Sequence, residues 1–233
     1  MISPVFLAIS LFLSASMSSE PNPTLTQQKK NITYLALGDS YTIGEGVEEK
    51  DRYPVQLVTA LNKKGSVTCA APQIIAKTGW TVDELEAGIN ASQTDEQGYD
   101  LVTLLIGVNN QYRGRPVADY EKDFEEMLKR AIDFARGKRD HVVVLSIPDW
   151  GVTPFAVNKK SDQAKVAREI DTYNDAKKAI CKKYNVTFID ITADYRAIGS
   201  KPEMVVEDQL HPSGLVYSRW TEKLLTEVQK IKF

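Results

Sequence analysis

Two uninterrupted apolar runs constrain the fold of this chain more than any other feature. Residues 100–106 read DLVTLLI and residues 142–147 read VVVLSI, with Pro148 ending the second run. Runs of this length, without alternation of polar and apolar residues, are typical of parallel strands that are covered on both faces. They predict the centre of a sheet with helices on its two sides.

The segments around these runs alternate between strand-like and helix-like patterns. Further strands are predicted at residues 34–37, 73–76 and 187–191, and helices at 54–63, from Thr81, at 161–184 and at 215–231. Between the two apolar runs, one helix carries an apolar stripe formed by Val117, Tyr120, Phe124, Leu128, Ala131 and Ala135. Strands that alternate with helices of this length form right-handed βαβ units. We therefore expect a three-layer α/β/α sandwich with about five parallel strands.

The amino-terminal segment is predicted to be an export signal followed by a flexible lead-in. Residues 1–19 contain the apolar stretch VFLAISLFL followed by small residues, a pattern typical of a secretory signal peptide. No Lys or Arg precedes the stretch, so an uncleaved apolar tail is the alternative. Residues 20–30 are polar and contain proline. The folded domain is expected to span residues 31–233 of a secreted or periplasmic protein.

The charge pattern favours a globular protein that acts on a small molecule. The 233-residue chain has 29 Lys and Arg against 31 Asp and Glu, and it lacks a long basic run. We therefore expect no nucleic-acid partner. No later segment is apolar enough to span a bilayer, and we expect the mature protein to be a monomer without stable membrane insertion.

Cysteine and histidine are too scarce to predict a metal site. Cys69 and Cys181 are the only cysteines. They could form a disulfide, although separate buried thiols are the preferred interpretation. His141 and His211 are the only histidines, and His141, which follows a charged stretch, is expected at the surface. Residues 44–46 lack the further glycine of a dinucleotide loop and the lysine of a P-loop, so no cofactor is predicted.

Ser40 is the candidate nucleophile because it directly follows a predicted strand. Open α/β sheets bind their ligands at the carboxyl ends of the strands, and a serine there needs a base within hydrogen-bond reach. His211 can be that base, and Asp208, three residues earlier, can hold its ring in the useful tautomer. The alternative is that residues 208–211 are only the start of the last helix.

Three groups are candidates for an oxyanion hole, which stabilises the negative charge that develops during acyl transfer. They are the backbone N–H of Ser40, the backbone N–H of Gly79 and the side-chain amide of Asn109. Gly79 follows the second predicted strand and Asn109 the third. Each could equally be a turn glycine or a loop asparagine when considered alone. Their common placement after strands predicts that they meet at one edge of the sheet.

Four short motifs in this order resemble the sequence blocks of the GDSL or SGNH hydrolases. They are GDSYTIG at 38–44, KTGWT at 77–81, GVNN at 107–110 and DQLH at 208–211. The resemblance implies a flavodoxin-like sheet of order 2-1-3-4-5. It also implies Ser40 as nucleophile, His211 as base, Asp208 as orienting acid, and Gly79 and Asn109 as oxyanion donors. One residue departs from the pattern, because the third block commonly ends in aspartate and this chain has Asn110.

The substrate is less constrained than the reaction. Four aromatic residues lie in predicted loops near the catalytic edge and could line an acyl or sugar pocket or pack beneath the loops: Trp80, Tyr112, Trp150 and Phe155. We expect a serine esterase for small-molecule esters, with acyl lipids such as lysophospholipids and O-acetylated sugars as candidate substrates. The alternative is a non-catalytic small-molecule or carbohydrate binding module that retains the fold.

Overall fold

The structure is a computed structural model that describes Met1, residues 29–94 and residues 97–233. The predicted signal peptide and most of the lead-in fall on residues 2–28, which lie outside the described residues. The first strand begins at Lys30, one residue before the predicted start of the domain. No helix in the described part of the chain combines the length and apolarity needed to cross a membrane.

The described residues alternate strands with helices along the chain. In order, the strands are β1 (Lys30–Ile32), β2 (Tyr34–Gly38), β3 (Val67–Cys69), β4 (Gln73–Ala76), β5 (Leu101–Leu105), β6 (Val142–Leu145) and β7 (Thr187–Ile189). The helices are α1 (Ser40–Ile43), α2 (Tyr53–Lys64), α3 (Val82–Asn90), α4 (Val108–Tyr112), α5 (Val117–Phe134), α6 (Pro154–Asn158), α7 (Gln163–Tyr184), α8 (Thr192–Ile198) and α9 (Gly214–Val228). Every strand predicted from the sequence is present in the main sheet.

The main sheet is parallel and has the order β4-β2-β5-β6-β7. Counted along the chain, its strands follow the predicted order 2-1-3-4-5. Strands β2, β5 and β6 are buried along their whole length, which explains why their sequences are continuous apolar runs. From β2 the chain passes to β4 on one side of the sheet, and it then crosses to β5 on the other side of β2. The carboxyl ends of β2 and β5 therefore form a switch point, where ligands bind in such sheets.

Helices cover both faces of the sheet and complete the predicted three-layer sandwich. Helix α2 packs against α9, and α5 packs against both α3 and α7. The predicted stripe of α5 is confirmed, because Tyr120, Phe124, Leu128 and Ala131 are buried. Helix α3 begins with the predicted capping box, in which Thr81 and Glu84 satisfy each other's free backbone N–H groups.

The sequence did not predict a second, two-stranded sheet formed by β1 and β3. These strands pair in parallel over three residues each, too short for an apolar pattern to identify. Cys69 lies in β3 and Cys181 in α7, and both are buried, unpaired thiols, as preferred. Burial raises the pKa of Cys69 to about 11 and that of Cys181 to about 12.

The expectation that His141 lies at the surface is wrong. Its side chain is 2% exposed, and its Nδ1 atom lies 2.6 Å from the carbonyl oxygen of Asp100. The ring of Phe233 packs against it at 5.4 Å between centroids. The exposed, charged residues 138–140 directly precede His141, and burial begins at His141 itself. Phe233, which is distant in sequence, packs against the ring.

Asp100 connects the starts of two central strands. Its carboxylate accepts hydrogen bonds from the backbone N–H of Thr33 at 3.0 Å and from Arg136 Nη1 at 2.7 Å. Burial alone would raise the pKa of Asp100, but the bonds from Thr33 and Arg136 outweigh it and hold the pKa below its usual value. The ionised carboxylate therefore contributes to stability.

We predict that Asp100→Asn lowers the free energy of unfolding by about 1–3 kcal/mol near neutral pH, the usual value of hydrogen bonds to a charged group. The unfolded state binds more protons than the folded state below the usual pKa of aspartate. The contribution is therefore present above about pH 4 and is lost as pH falls through the lowered pKa. Urea unfolding from pH 2 to 7 measures it, with the exposed Asp140→Asn as control. Equal pH dependence in Asp100→Asn and the wild type would contradict the assignment.

Candidate active site

One cavity at the carboxyl ends of β2 and β5 brings together four of the five predicted catalytic residues. Ser40, Gly79, Asn109 and His211 all line this cavity, which encloses about 190 Å³. Its remaining walls are mainly apolar and aromatic. The fifth residue, Asp208, lies behind the His211 ring. Residues more than 100 positions apart in sequence meet here because parallel strands end at a common edge.

Ser40 is the first residue of α1, immediately after β2. The Oδ1 atom of Asp39 caps this helix by accepting from the backbone N–H of Tyr41 at 3.0 Å. The N–H of Ser40 has no acceptor within the helix, because the first N–H groups of a helix lie beyond its hydrogen-bond ladder. A Cβ atom on Gly38 would lie 2.3 Å from the carbonyl oxygen of Leu105. Glycine at 38 therefore lets the end of β2 approach the end of β5 closely, two residues before Ser40.

His211 is held in a defined orientation by Asp208. The ring Nδ1 atom lies 2.5 Å from Asp208 Oδ2, while Asp208 Oδ1 accepts from the backbone N–H groups of Leu210 at 2.8 Å and His211 at 2.9 Å. Partial burial opposes ionisation of Asp208, but these hydrogen bonds dominate and lower its pKa. An ionised partner fixes the proton on Nδ1, which leaves Nε2 as the atom that can accept a proton.

Ser40 and His211 line the same cavity. Among the described residues, no hydrogen bond joins the Ser40 hydroxyl directly to the His211 ring. The ring of Tyr41 packs against the His211 ring at 5.5 Å between centroids. Hydrogen bonds between a nucleophile and its base are often longer in unliganded sites than in the substrate complex. The candidate base therefore lines the same cavity as the candidate nucleophile.

Gly79 lies in a turn that Arg113 fixes in place. The turn closes through a hydrogen bond from the N–H of Trp80 to the carbonyl of Lys77 at 3.2 Å, and Gly79 has a φ of +84°, which favours glycine. Arg113 Nη2 donates to the Gly79 carbonyl at 2.6 Å, and Nη1 pairs with Glu84 at 2.9 Å. Sequence reasoning missed Arg113, because a loop arginine beside many other charges carries no distinguishing signal.

Asn109 connects the two loops that carry the candidate oxyanion donors. Its Nδ2 atom donates to the carbonyl of Trp80 at 2.9 Å. A carboxamide nitrogen carries two hydrogens, so the second one is available on the cavity that Asn109 lines. The backbone at 79–80 and the side chain at 109 are therefore held at a fixed distance, as a preorganised donor set requires.

A family match covers most of the chain and agrees with this geometry. Residues 36–219 match the GDSL-like Lipase/Acylhydrolase family, a stretch that includes every predicted catalytic residue. The chain belongs to this family. The family's members hydrolyse esters, so the protein is an ester-hydrolysing enzyme. A search of curated proteins found no match.

Several solved structures share the fold of this GDSL hydrolase. TesA aligns with a TM-score of 0.65 at 18% identity, over 85% of this chain and 98% of its own. The psychrotrophic esterase EstA from Pseudoalteromonas sp. aligns with a TM-score of 0.63 at 15% identity, over 85% and 97%. The acetylxylan esterase Axe2 from Geobacillus stearothermophilus aligns with a TM-score of 0.64 at 18% identity, over 86% and 95%. These similarities show a common fold.

Asn110, which departs from the family pattern, faces away from the catalytic cavity. It is buried in α4, and its Oδ1 atom accepts from the backbone N–H of Val82, the first residue of α3, at 3.1 Å. Its Nδ2 atom has no hydrogen-bond partner among the described residues. The departure therefore affects a contact between α3 and α4 and does not change the lining of the cavity.

The four predicted pocket aromatics occupy different places in this GDSL hydrolase. Tyr112 and Phe155 line the catalytic cavity. Trp150 does not, because its indole N–H donates to Gln111 at 2.8 Å and its ring packs beneath both of them. Trp80 does not line it either, because its ring lies over Gly88 on α3, where any Cβ atom would collide with it. Tyr112 ends α4 and Phe155 lies in α6, where loops were predicted, and the sequence did not resolve which side each ring faces.

We predict that Asn110→Ala lowers the free energy of unfolding by about 1–3 kcal/mol, because the buried N–H of Val82 loses its acceptor. Asn110→Asp keeps an acceptor and places a negative charge at the amino terminus of α3, which is favourable. It should therefore be more stable than Asn110→Ala. Chemical denaturation measures both, with the exposed Asn158→Ala as control. Equal stability of the wild type and Asn110→Ala would show that this contact is unimportant.

Proposed function

We propose that the protein is a serine esterase that cleaves carboxylic esters through an acyl-enzyme on Ser40. The observation that carries this proposal is the single cavity lined by Ser40, Gly79, Asn109 and His211, with Asp208 bonded to the far side of the histidine ring. A nucleophile, a base and an orienting acid in this relation are the groups that acyl transfer to a hydroxyl requires.

His211 carries the proton in both half-reactions, the formation of the acyl-enzyme and its hydrolysis. Ser40 Oγ attacks the carbonyl carbon of the ester while His211 Nε2 takes the hydroxyl proton. The resulting tetrahedral intermediate expels the alcohol, which receives that proton, and leaves an acyl group on Ser40. Water then repeats the attack, and His211 returns the proton to Ser40 as the carboxylic acid leaves. Asp208 remains ionised and stabilises the imidazolium that forms in each step.

The negative charge of both intermediates would be held by three donors. The N–H of Ser40 and the N–H of Gly79 supply two, and the free hydrogen of the Asn109 amide supplies the third. Removal of one such donor typically lowers kcat by about 10²- to 10³-fold. The Asn109 bond to Trp80 and the Arg113 bond to Gly79 support their prior alignment, so little reorganisation accompanies the reaction.

The size of the cavity favours a short acyl group. About 190 Å³ is less than the roughly 300–1,000 Å³ of pockets that enclose larger ligands. Val108, Tyr112, Phe155 and Leu210 make the wall apolar, which suits an alkyl group. Of the candidate substrates, acetylated sugars and other short acyl esters therefore fit better than lysophospholipids. The shared fold with the acetylxylan esterase Axe2 agrees with this choice.

We predict that Ser40→Ala and His211→Ala lower kcat for p-nitrophenyl acetate by about 10⁴-fold or more, and that Asp208→Ala has a smaller effect, because orienting the base is a lesser task than serving as base or nucleophile. A fluorophosphonate probe should label the wild type and Ser218→Ala but not Ser40→Ala. EstA, which shares the fold, has a solved structure inhibited by monoethylphosphonate, which supports this choice of probe. A wild type with neither turnover nor labelling would instead favour the non-catalytic binding module.

We predict that kcat/KM is highest for acetyl to butanoyl esters and falls by about tenfold or more by octanoyl, since longer chains exceed the apolar wall. Phe155→Ala enlarges the cavity and should shift the optimum to longer chains by one or two carbons. The exposed Val157→Ala lies on the same helix α6 and is the matched control. A p-nitrophenyl ester series measures the preference. A steady rise towards palmitoyl would favour lipid substrates instead.

A further inference from the structure

A lysine with no solvent exposure lies beneath the catalytic edge of the sheet. Lys177 on α7 is 0% exposed, and its Nζ atom donates to the carbonyl oxygens of Ile106 at 2.9 Å and Leu145 at 3.0 Å. Leu145 ends β6 and Ile106 directly follows β5. These two strands are neighbours in the sheet. The ammonium group therefore connects the end of β5 to the end of β6, just past the last pair of residues in register between the two strands.

Burial of an ammonium group is unfavourable unless other groups replace its hydration. Two carbonyl oxygens and the ring of Phe124, whose centroid lies 5.3 Å from Nζ, supply part of that replacement. Such an arrangement is costly to maintain if it only satisfies two carbonyls, since water or a neutral donor could do the same. The position of Lys177 therefore calls for a role in which its charge matters.

A second buried ionisable group, Asp39, directly precedes the candidate nucleophile. Asp39 is 0% exposed, its Oδ1 atom caps the helix that Ser40 begins, and its Oδ2 atom has no hydrogen-bond partner in the described part of the chain. Burial raises the pKa of Asp39 and lowers that of Lys177, and the attraction between the two charges opposes both shifts. Each group thus stabilises the charged form of the other within the sheet's interior.

The chain between Lys177's contact and the oxyanion loop has little freedom. Ile106 is three residues before Asn109, and the intervening Gly107 has a φ of +121° with Tyr120 packed directly against it. A Cβ atom on Gly107 would lie 2.7 Å from that ring. A shift of the Ile106 carbonyl is therefore passed on to Asn109 and is not absorbed by the turn.

We propose that Lys177 is a positioning residue for the oxyanion hole, acting on the end of β5 through the Ile106 carbonyl. This inference rests on the proposed serine esterase reaction. The ammonium group then fixes the end of β5, the strand that the candidate donor Asn109 follows. The role differs from catalysis, because Lys177 does not line the cavity.

The test compares Lys177→Met, Lys177→Gln and the control Lys178→Met, an exposed lysine one residue further along α7. Lys177→Met is expected to lower kcat for p-nitrophenyl acetate by about 10- to 100-fold with KM changed by less than threefold, because the hole acts on the transition state. Labelling of Ser40 by the fluorophosphonate probe should slow in parallel. Lys177→Gln, which keeps a donor without the charge, should recover part of kcat, and Lys178→Met should match the wild type.

A second variant keeps the inference testable if Lys177→Met does not fold. Lys177→Met combined with Asp39→Asn removes both buried charges while the carboxamide introduced at position 39 keeps an oxygen to cap α1. This pair should therefore be more stable than the two single changes predict together. A folded Lys177→Met or double variant with kcat within twofold of the wild type would overturn the proposal, as would a loss confined to KM. Failure of the proposed reaction is distinguishable, because then the wild type itself would neither turn over esters nor be labelled at Ser40.

Discussion

Strand β2 pairs with β4 on one side and β5 on the other, and the positions of three candidate catalytic groups depend on that pairing. Leu37 is in register with both Ile75 and Leu104, so the three strands end at nearly the same height. The loops that follow them then carry Ser40, Gly79 and Asn109 to one cavity. Loss of this register would move the three loops apart.

Around that cavity, a few hydrogen bonds to and between the candidate catalytic residues determine the geometry. Arg113 fixes the Gly79 turn, Asn109 binds the same segment through Trp80, and Asp208 orients His211. Electrostatic stabilisation of a transition state depends on donors that are aligned before the reaction begins. The GDSL hydrolase fold supplies the loops, and these few polar contacts make their relative positions definite.

The strands of the main sheet and the main helices could be predicted, because apolar runs and helical stripes leave local signals. The short motifs and their family resemblance also implied the strand order, and six of the residues that line the cavity were predicted. Other features left no such signal. Strands β1 and β3 are too short for a pattern, and His141 is buried by a terminus distant in sequence. Lys177 resembles the other lysines of a charged helix, and only the three-dimensional structure shows its ammonium between two strand ends. Likewise, the sequence did not show whether the rings of Trp80 and Trp150 line the cavity or pack elsewhere.

The loop that carries the acid and the base is closed on itself. Asp208 and His211 lie between Val205 and Pro212, which form an antiparallel bridge, and the N–H of Val206 binds the His211 carbonyl at 2.9 Å. Any displacement of this segment therefore carries the imidazole and its carboxylate together as a unit. The candidate acid and base therefore keep their mutual geometry whatever the distance between the imidazole and Ser40.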